Sequence, residues 1–187
     1  MQIIGITGTI GAGKGTIVDY LVSHYHFRHY SVREYLIKEI EKRNLPVNRD
    51  SMVSVANELR AVNSPSFIVD QLYRNALRDG DYAIIESVRT PGEIDSLKNT
   101  GQFVLLAVDA DPLIRYRRIV ERNSETDHIS YETFLENEQR EMNTRDPNKQ
   151  NLSECIRRAD FLFYNNEGFQ ELYDQVDSAM RKLNIKP

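Results

Sequence analysis

The fold of this chain is decided by the run Ile3-Ile4-Gly5-Ile6-Thr7, which leads into Gly8-Thr9-Ile10-Gly11-Ala12-Gly13-Lys14-Gly15-Thr16. A short apolar strand is followed by a glycine-rich loop, and apolar residues at helical spacing come directly after Lys14. The spacing GxxxxGK between a strand and a helix is the pattern of a phosphate-binding loop. The stretch therefore predicts a site for the phosphates of a nucleotide.

Each part of this loop has a chemical role. Glycines let backbone N–H groups point at a phosphate, the start of the helix adds a positive end, and Lys14 adds a mobile charge for the outer phosphates. The predicted nucleotide-binding residues are Gly8, Thr9, Gly11, Ala12, Gly13, Lys14, Gly15 and Thr16, and Lys14 is also predicted to be catalytic. Gly15 replaces the usual Ser or Thr that binds Mg²⁺, and the hydroxyl of Thr16 comes one position late. The alternative is a turn that binds nothing, which would be a costly use of these glycines.

Length and composition favour one domain over residues 1–187 with a substantial core. The 24 basic and 28 acidic residues argue against a general nucleic-acid surface, so local arginine clusters must hold any anion. Cys155 is the only cysteine, which excludes an intrachain disulfide and suits a reducing cytoplasm. No apolar run reaches membrane-spanning length, and we expect neither a signal peptide nor a membrane partner.

Strands and helices are predicted to alternate along the whole chain. Apolar runs predict strands over 2–7, 26–30, 82–86, 102–108 and 159–164. Helical patterns cover about 14–25, 32–43, 51–62, a segment ending near 77, 112–122, 131–143 and 168–183. Strands without in-and-out alternation indicate an α/β domain with a parallel sheet covered on both faces. Ligands of such sheets bind at the carboxyl ends of strands, so Gly8, Glu86 and residues 109–111 should share one edge.

The chain resembles a known group of enzymes through several short segments. These are the loop in the form GxxGAGKGT, Asn57-Glu58-Leu59-Arg60, Glu86-Ser87-Val88-Arg89, and Arg115-Tyr116-Arg117-Arg118. Together they resemble adenylate-kinase-type nucleoside monophosphate kinases of the P-loop kinase superfamily, and more closely the archaeal adenylate-kinase-related or dephospho-CoA-kinase-like proteins. The resemblance covers nearly the whole chain. It implies a three-layer α/β/α fold with a five-stranded sheet in the order 2-3-1-4-5. It also implies a helical acceptor-binding insert over about 31–78, a lid over about 115–150, and ATP and Mg²⁺ as cofactors.

Phosphoryl transfer needs positioning and charge neutralisation more than covalent help from the protein. Glu86, at the end of a buried strand, is the candidate metal residue, with water between the carboxylate and Mg²⁺, and the alternative is a solvated carboxylate. Arg115, Arg118 and Arg122 lie at helical spacing on one face, and the resemblance implies a lid that closes on the phosphates. The alternative is a solvated basic face paired with neighbouring acids.

The arginines are assigned to two roles. Arg118 and Arg122 are predicted to be catalytic, because an arginine supplied at transfer stabilises the moving phosphoryl group. The predicted acceptor-binding residues are Arg33, Arg60, Arg89 and Arg115, since guanidinium groups suit phosphate. His24, His26 and His29 are interpreted as structural. The segment 164–166 either borders the adenine or is a plain turn.

The sequence supports an ATP-dependent phosphotransferase whose acceptor is a nucleoside or deoxynucleoside monophosphate. A dephospho-CoA kinase is the alternative within that class. A nucleotide-dependent ATPase or regulatory switch is the alternative from another class. The expected partner is a small-molecule phosphate acceptor, with no nucleic acid and no membrane, and the expected state is a monomer or homodimer.

Overall fold

The computed structural model describes residues 2–80, 82–122 and 129–187. Its strands are β1 Gln2–Gly8, β2 Arg28–Ser31, β3 Tyr82–Glu86, β4 Phe103–Asp109 and β5 Phe161–Tyr164. Its helices are α1 Lys14–Tyr25, α2 Val32–Lys42, α3 Arg49–Val62, α4 Phe67–Asp79, α5 Pro91–Lys98, α6 Pro112–Arg122, α7 Tyr131–Met142, α8 Leu152–Arg157 and α9 Phe169–Lys182.

The strands form one parallel sheet in the order β2-β3-β1-β4-β5, which confirms the predicted order. β1 lies at the centre, where Ile6 pairs with Glu86 of β3 and Gly8 pairs with Val108 of β4. Strands in this position are covered on both faces, which explains why they read as continuous apolar runs. The carboxyl ends of β1, β3 and β4 meet at one edge, as expected.

Helices cover both faces of the sheet. Because successive side chains of a strand point to opposite faces, Ile4 and Ile6 pack under α1 and α9, whereas Ile3 packs under the helices of the other face. The second core includes residues of α2, α3, α4, α5 and the buried Cys155 of α8. The result is the predicted three-layer arrangement.

Two local features differ from the sequence-based expectation. α3 begins at Arg49, before the predicted start at 51, because Asn48 and Ser51 form a capping box: the Ser51 amide donates to Asn48 Oδ1 over 2.9 Å and the Asn48 amide donates to Ser51 Oγ over 3.1 Å. β2 begins at Arg28 and not at His26, because His26 adopts the left-handed conformation that ends α1.

A helix that was not predicted, α5, follows β3. Thr90 caps it by accepting a hydrogen bond from the Glu93 amide, the Glu93 carboxylate accepts one from the Thr90 amide, and Pro91 stands in the first turn. This turn fixes a buried carboxylate directly behind the carboxyl end of β3.

The segments expected to form the insert and the lid are mostly helical. Residues 31–78 supply α2, α3 and α4 between β2 and β3, and 115–150 contains most of α6 together with α7. Residues 123–128, inside the expected lid, lie outside the described residues. Within the described part of the chain, no helix has both the length and the apolar character needed to cross a bilayer.

Candidate nucleotide-binding and acceptor site

The glycine-rich loop joins β1 to α1 and ends at Gly13, the N-cap of the helix. Gly13 has φ of 105° and Gly11 has φ of 76°, values at which a side chain would be strained. Gly13 has no side chain that could cap this end of α1, and the amides of the first turn have no partner within the helix, so they can bind an anion. The backbone therefore fits the phosphates of a nucleotide.

Two side chains predicted to bind nucleotide face the protein interior. Thr9 donates its hydroxyl hydrogen to Asp109 Oδ1 over 2.6 Å, and Ala12 is fully buried. The carbonyl oxygen of Ala12 accepts a hydrogen bond from Asn165 Nδ2 over 2.9 Å. These residues hold the shape of the loop, and only their backbone is placed to contact a phosphate.

The Lys14 ammonium lies inside the curve of the loop. Its Nζ donates to Gly8 O over 3.0 Å and to Thr9 O over 2.7 Å. Burial, followed by the positive charges of Arg89 and Arg49, lowers the pKa of Lys14 from 10.5 to about 7, although the nearby carboxylates of Glu86 and Glu141 act in the opposite direction. A bound anion would therefore stabilise the protonated form of Lys14.

Two cavities adjoin the loop. The loop cavity, about 750 Å³, extends along the start of α1 towards α6 and the chain after β5. The insert cavity, about 180 Å³, lies beneath α2 and α3. Gly11, Lys14, Glu86 and Arg122 line both cavities, so the loop lysine stands where the two meet.

The insert cavity has a mixed lining. Its apolar residues are Ile10, Val32, Leu36, Met52, Val53 and Ala56. Its polar residues include five arginines, Arg33, Arg49, Arg60, Arg89 and Arg122, together with Lys14, Glu86, Ser87, Glu141 and Gln150. A molecule with a flat apolar part and an anionic part fits such a cavity.

Arg60 is buried at the back of the insert cavity and is 1% exposed. Its Nε and Nη2 donate to Glu93 Oε1 over 3.1 and 2.8 Å. Glu93 Oε2 accepts from the amides of Arg89 and Thr90, so this carboxylate ties α3 to the chain after β3. The remaining nitrogen, Arg60 Nη1, is buried and has no hydrogen-bond partner among the residues that the structure describes.

Arg89 and Arg49 share one carboxylate. Arg89 Nη1 donates to Glu141 Oε2 over 2.9 Å and to Gln150 Oε1 over 2.8 Å, and Arg49 Nη2 donates to Glu141 Oε1 over 2.5 Å. Burial acts to raise the pKa of Glu141, but the charges of Arg89, Arg49 and Lys14 outweigh it, and the pKa lies below its ordinary value. Glu141 is therefore an anion at the wall of the insert cavity.

Glu86 lies at the end of β3, beside Lys14. Its Oε2 is 3.0 Å from His29 Nε2, which projects from the neighbouring strand β2. Burial acts to raise the pKa of Glu86, and the hydrogen bond to His29 together with the charges of Lys14 and Arg89 lowers it below its ordinary value. Mg²⁺ commonly binds one or two carboxylates, several waters and the phosphates of a substrate, and an ionised Glu86 where both cavities meet fits that pattern.

Arg115 does not line either cavity. It is 2% exposed and donates to both carboxylate oxygens of Glu138 on α7, over 2.8 and 2.9 Å. It also donates to the carbonyl oxygens of Ala110 and Ile10, and it lies over the ring of Phe134. Arg115 therefore connects α6 with α7 and with the loop, and we do not assign it to acceptor binding.

Arg118 and Arg122 of α6 line the loop cavity. Arg118 Nη2 lies 3.4 Å from Asn165 Oδ1, and its buried Nη1 has no partner among the described residues. Burial lowers the pKa of Arg118. Asn165 therefore contacts both the loop and an arginine of the loop cavity, and Arg122 stands at the boundary between the cavities.

Four residues of the site escape sequence reasoning or take a different place in the structure. Arg49 and Glu141 are 92 positions apart, and no local pattern connects them. His29 is structural by its sequence pattern, but parallel pairing of β2 with β3 brings it to Glu86. Asn165 directly follows β5. Because ligands bind at the carboxyl ends of parallel strands, its position in the sequence could have placed it at the site.

A family model and related proteins match this chain. A family model described as an AAA domain matches residues 4–144. A UPF0200 protein of Methanococcus maripaludis is 26% identical, and the match covers 98% of each chain.

Solved structures show the same fold. Shikimate kinase from Bacteroides thetaiotaomicron matches with a TM-score of 0.54 and 12% identity, over 98% of each chain. A gluconokinase from Sinorhizobium meliloti matches with a TM-score of 0.55 and 12% identity, over 97% of this chain and 93% of that one. At this identity the likeness concerns the architecture alone.

Proposed function

The chain belongs to the AAA domain family, and from that membership and the paired cavities we propose that it is an ATP-dependent phosphotransferase. It moves the γ-phosphoryl group of ATP to a small phosphorylated acceptor, and a nucleoside monophosphate is the acceptor that fits best. The loop cavity takes the donor, and the insert cavity takes the acceptor.

One observation carries this proposal: Lys14, Glu86 and Arg122 line both cavities. Transfer between two bound molecules requires the reacting oxygens to meet in line, with positive charge at the point of transfer. A site made only for hydrolysis requires room for a water molecule and no second cavity lined with arginines. The boundary between the two cavities supports transfer.

On the donor side, the amides of the loop and of the first turn of α1 bind the phosphates, and Lys14 neutralises the outer ones. Arg118 and Arg122 face the same cavity and approach the phosphates from α6. Glu86 would hold Mg²⁺, which neutralises the charge of the phosphate tail when it is bound. Asn165 contacts both the loop and Arg118 and so fixes their relative position.

On the acceptor side, the mixed apolar and basic lining of the insert cavity supports an acceptor with a base and a phosphate. Apolar side chains of α2 and α3 pack against the base, and Arg33, Arg60 and Arg89 bind the phosphate. In this proposal residues 31–78 are the acceptor-binding insert, and residues 115–150 form the lid that excludes water.

The carboxylates of the insert cavity favour a phosphate acceptor over a hydroxyl acceptor such as dephospho-CoA. A hydroxyl group transfers its proton to a base, whereas an ionised phosphate requires none. Among the described residues that line this cavity, the carboxylates are Glu86 and Glu141, and each has cationic or histidine partners and a lowered pKa. Both are weak bases.

The proposal is tested with ATP labelled in its γ-phosphoryl group and a panel of nucleoside monophosphates, dephospho-CoA and no acceptor. We expect label on at least one monophosphate, with little release as inorganic phosphate. The Lys14→Ala variant, with its fold checked by circular dichroism, should transfer no label. Equal slow release of inorganic phosphate with every acceptor and with none would favour an ATPase, and label on dephospho-CoA alone would favour the alternative kinase.

A further inference from the structure

Helix α7 turns one face towards the site. Phe134, Glu138 and Glu141 are at the spacing of one helical face, and Phe134 and Glu141 are buried. Glu138 pairs with Arg115 outside both cavities, while Glu141, one turn further on, reaches the wall of the insert cavity. Two carboxylates of one helix thus have different surroundings.

The insert cavity has more positive than negative groups on its wall. The basic residues that line it are Lys14, Arg33, Arg49, Arg60, Arg89 and Arg122, and the acidic residues are Glu86 and Glu141. Each oxygen of the Glu141 carboxylate accepts from a different guanidinium group, Arg49 for Oε1 and Arg89 for Oε2. Two oxygens of a bound phosphate would bind these guanidinium groups in the same way.

The arginines that line the insert cavity also carry N–H donors that do not bind Glu141. Arg60 Nη1 and Arg49 Nε are buried, and neither has a hydrogen-bond partner within the described part of the chain. Arg60 is 1% exposed and lines the cavity, so its Nη1 is a donor without an acceptor at a site built for an anion. A carboxylate satisfies part of this cluster, and a group with a third oxygen satisfies more of it.

We propose that Glu141 holds the place of the acceptor's anionic group before the acceptor binds, and that the acceptor must displace it from Arg49 and Arg89. This inference rests on the proposed function in that it assigns the insert cavity to the acceptor. Glu141 then determines specificity. A dianionic phosphate, with more charge and more oxygens, replaces the carboxylate, whereas a ligand that offers only another carboxylate gains nothing by the exchange.

The test uses phenyl phosphate and benzoate, which share a ring and differ in the anionic group. Binding is measured by calorimetry with the loop cavity saturated by a non-hydrolysable ATP analogue and magnesium, so that the probes do not bind at the loop. The wild-type protein should bind phenyl phosphate and show no heat with benzoate. Glu141→Gln should bind phenyl phosphate about tenfold more tightly, which corresponds to about 1.4 kcal/mol, and should now admit benzoate.

Glu138→Gln is the matched control, since it removes the other inward carboxylate of α7. It should leave the affinity for phenyl phosphate unchanged. If Glu141→Gln binds phenyl phosphate no more tightly than the wild-type protein, or if both variants change it equally, the inference is wrong.

A measurement on the wild-type protein covers the case in which Glu141→Gln does not fold. With glutamate labelled at the side-chain carboxyl carbon, the Glu141 signal should move on addition of phenyl phosphate towards the position of solvent-exposed glutamate. A bound ligand with an unmoved Glu141 signal would overturn the inference. Neither arm requires phosphoryl transfer, so failure of the acceptor panel refutes the proposed function and leaves this result to stand by itself.

Discussion

A single methyl group at Gly13 should damage the protein, and the same group two residues later should not. Gly13 has φ of 105°, and a Cβ built there would lie 2.4 Å from Asn165 Nδ2. Among the described residues, a Cβ at Gly15 would meet nothing within 4 Å outside the adjoining backbone of α1, and Gly15 has no positive φ. Comparison of Gly13→Ala with Gly15→Ala therefore tests whether the loop requires the backbone conformation of Gly13 in particular or simply a glycine at each position.

The magnitudes follow from these contacts. Alanine at a positive φ costs about 1–2 kcal/mol, and displacement of Asn165 loses its 2.9 Å hydrogen bond to Ala12 O, which is worth about 1 kcal/mol. We expect Gly13→Ala to lower the free energy of unfolding by about 2–3 kcal/mol, which corresponds to a Tm lower by about 4–12 °C. Gly15→Ala, inside α1, should leave the stability unchanged or raise it by up to about 1 kcal/mol.

The assay is urea unfolding followed by circular dichroism, with ATP binding measured by calorimetry on each folded variant. Gly13→Ala should bind ATP at least about tenfold more weakly, because the amides of the first turn no longer converge. Gly15→Ala should bind it as the wild-type protein does. Equal losses in both variants, or full stability and binding in Gly13→Ala, would refute the assignment of Gly13 as the position that shapes the loop.

Three further predictions concern side chains of the site. The pKa of Lys14 lies at about 7, and a bound polyphosphate should raise it again, so ATP binding above pH 7 should take up a proton and weaken as the pH rises. Calorimetry near pH 8 in buffers of different ionisation enthalpy measures this proton uptake. No proton uptake, or uptake that persists in Lys14→Arg, would contradict the prediction. Arg60→Met should lower the free energy of unfolding by about 3–5 kcal/mol in urea titrations, because Glu93 keeps its buried charge without the guanidinium, and should weaken acceptor binding more than ATP binding; an unchanged stability would show that the pair contributes nothing. Arg118→Ala should raise the KM for ATP with little effect on the KM for the acceptor, and Asn165→Ala should act in the same direction; effects on the acceptor alone would reverse the assignment of the two cavities.

The sheet and the loop could be predicted from the sequence because their signals are local. β1, β3 and β4 are buried on both faces, so each is a continuous apolar run, and the glycine spacing requires positive φ at fixed positions. The sharing of one edge by the ends of β1, β3 and β4 follows from parallel pairing, and the contact between Thr9 and Asp109 agrees with it.

The partners of the arginines could not be predicted, since they depend on contacts between distant segments. Helical spacing places Arg115 and Arg118 on one face of α6, but it contains no information on what packs against that face. Glu138 of α7 takes Arg115 out of the site, whereas Arg118 remains at the loop cavity. Helix α5, in contrast, could have been predicted, because Thr90 and Glu93 have the spacing of a capping box in the sequence.

The central claim is that the loop around Lys14 binds the phosphates of a nucleotide. Calorimetry with a non-hydrolysable ATP analogue and magnesium tests it most directly, on the wild-type protein and on a folded Lys14→Ala variant. We expect about one molecule bound per chain and at least about a tenfold loss of affinity in the variant. No heat with the wild-type protein, or equal affinity in both proteins, would contradict the claim.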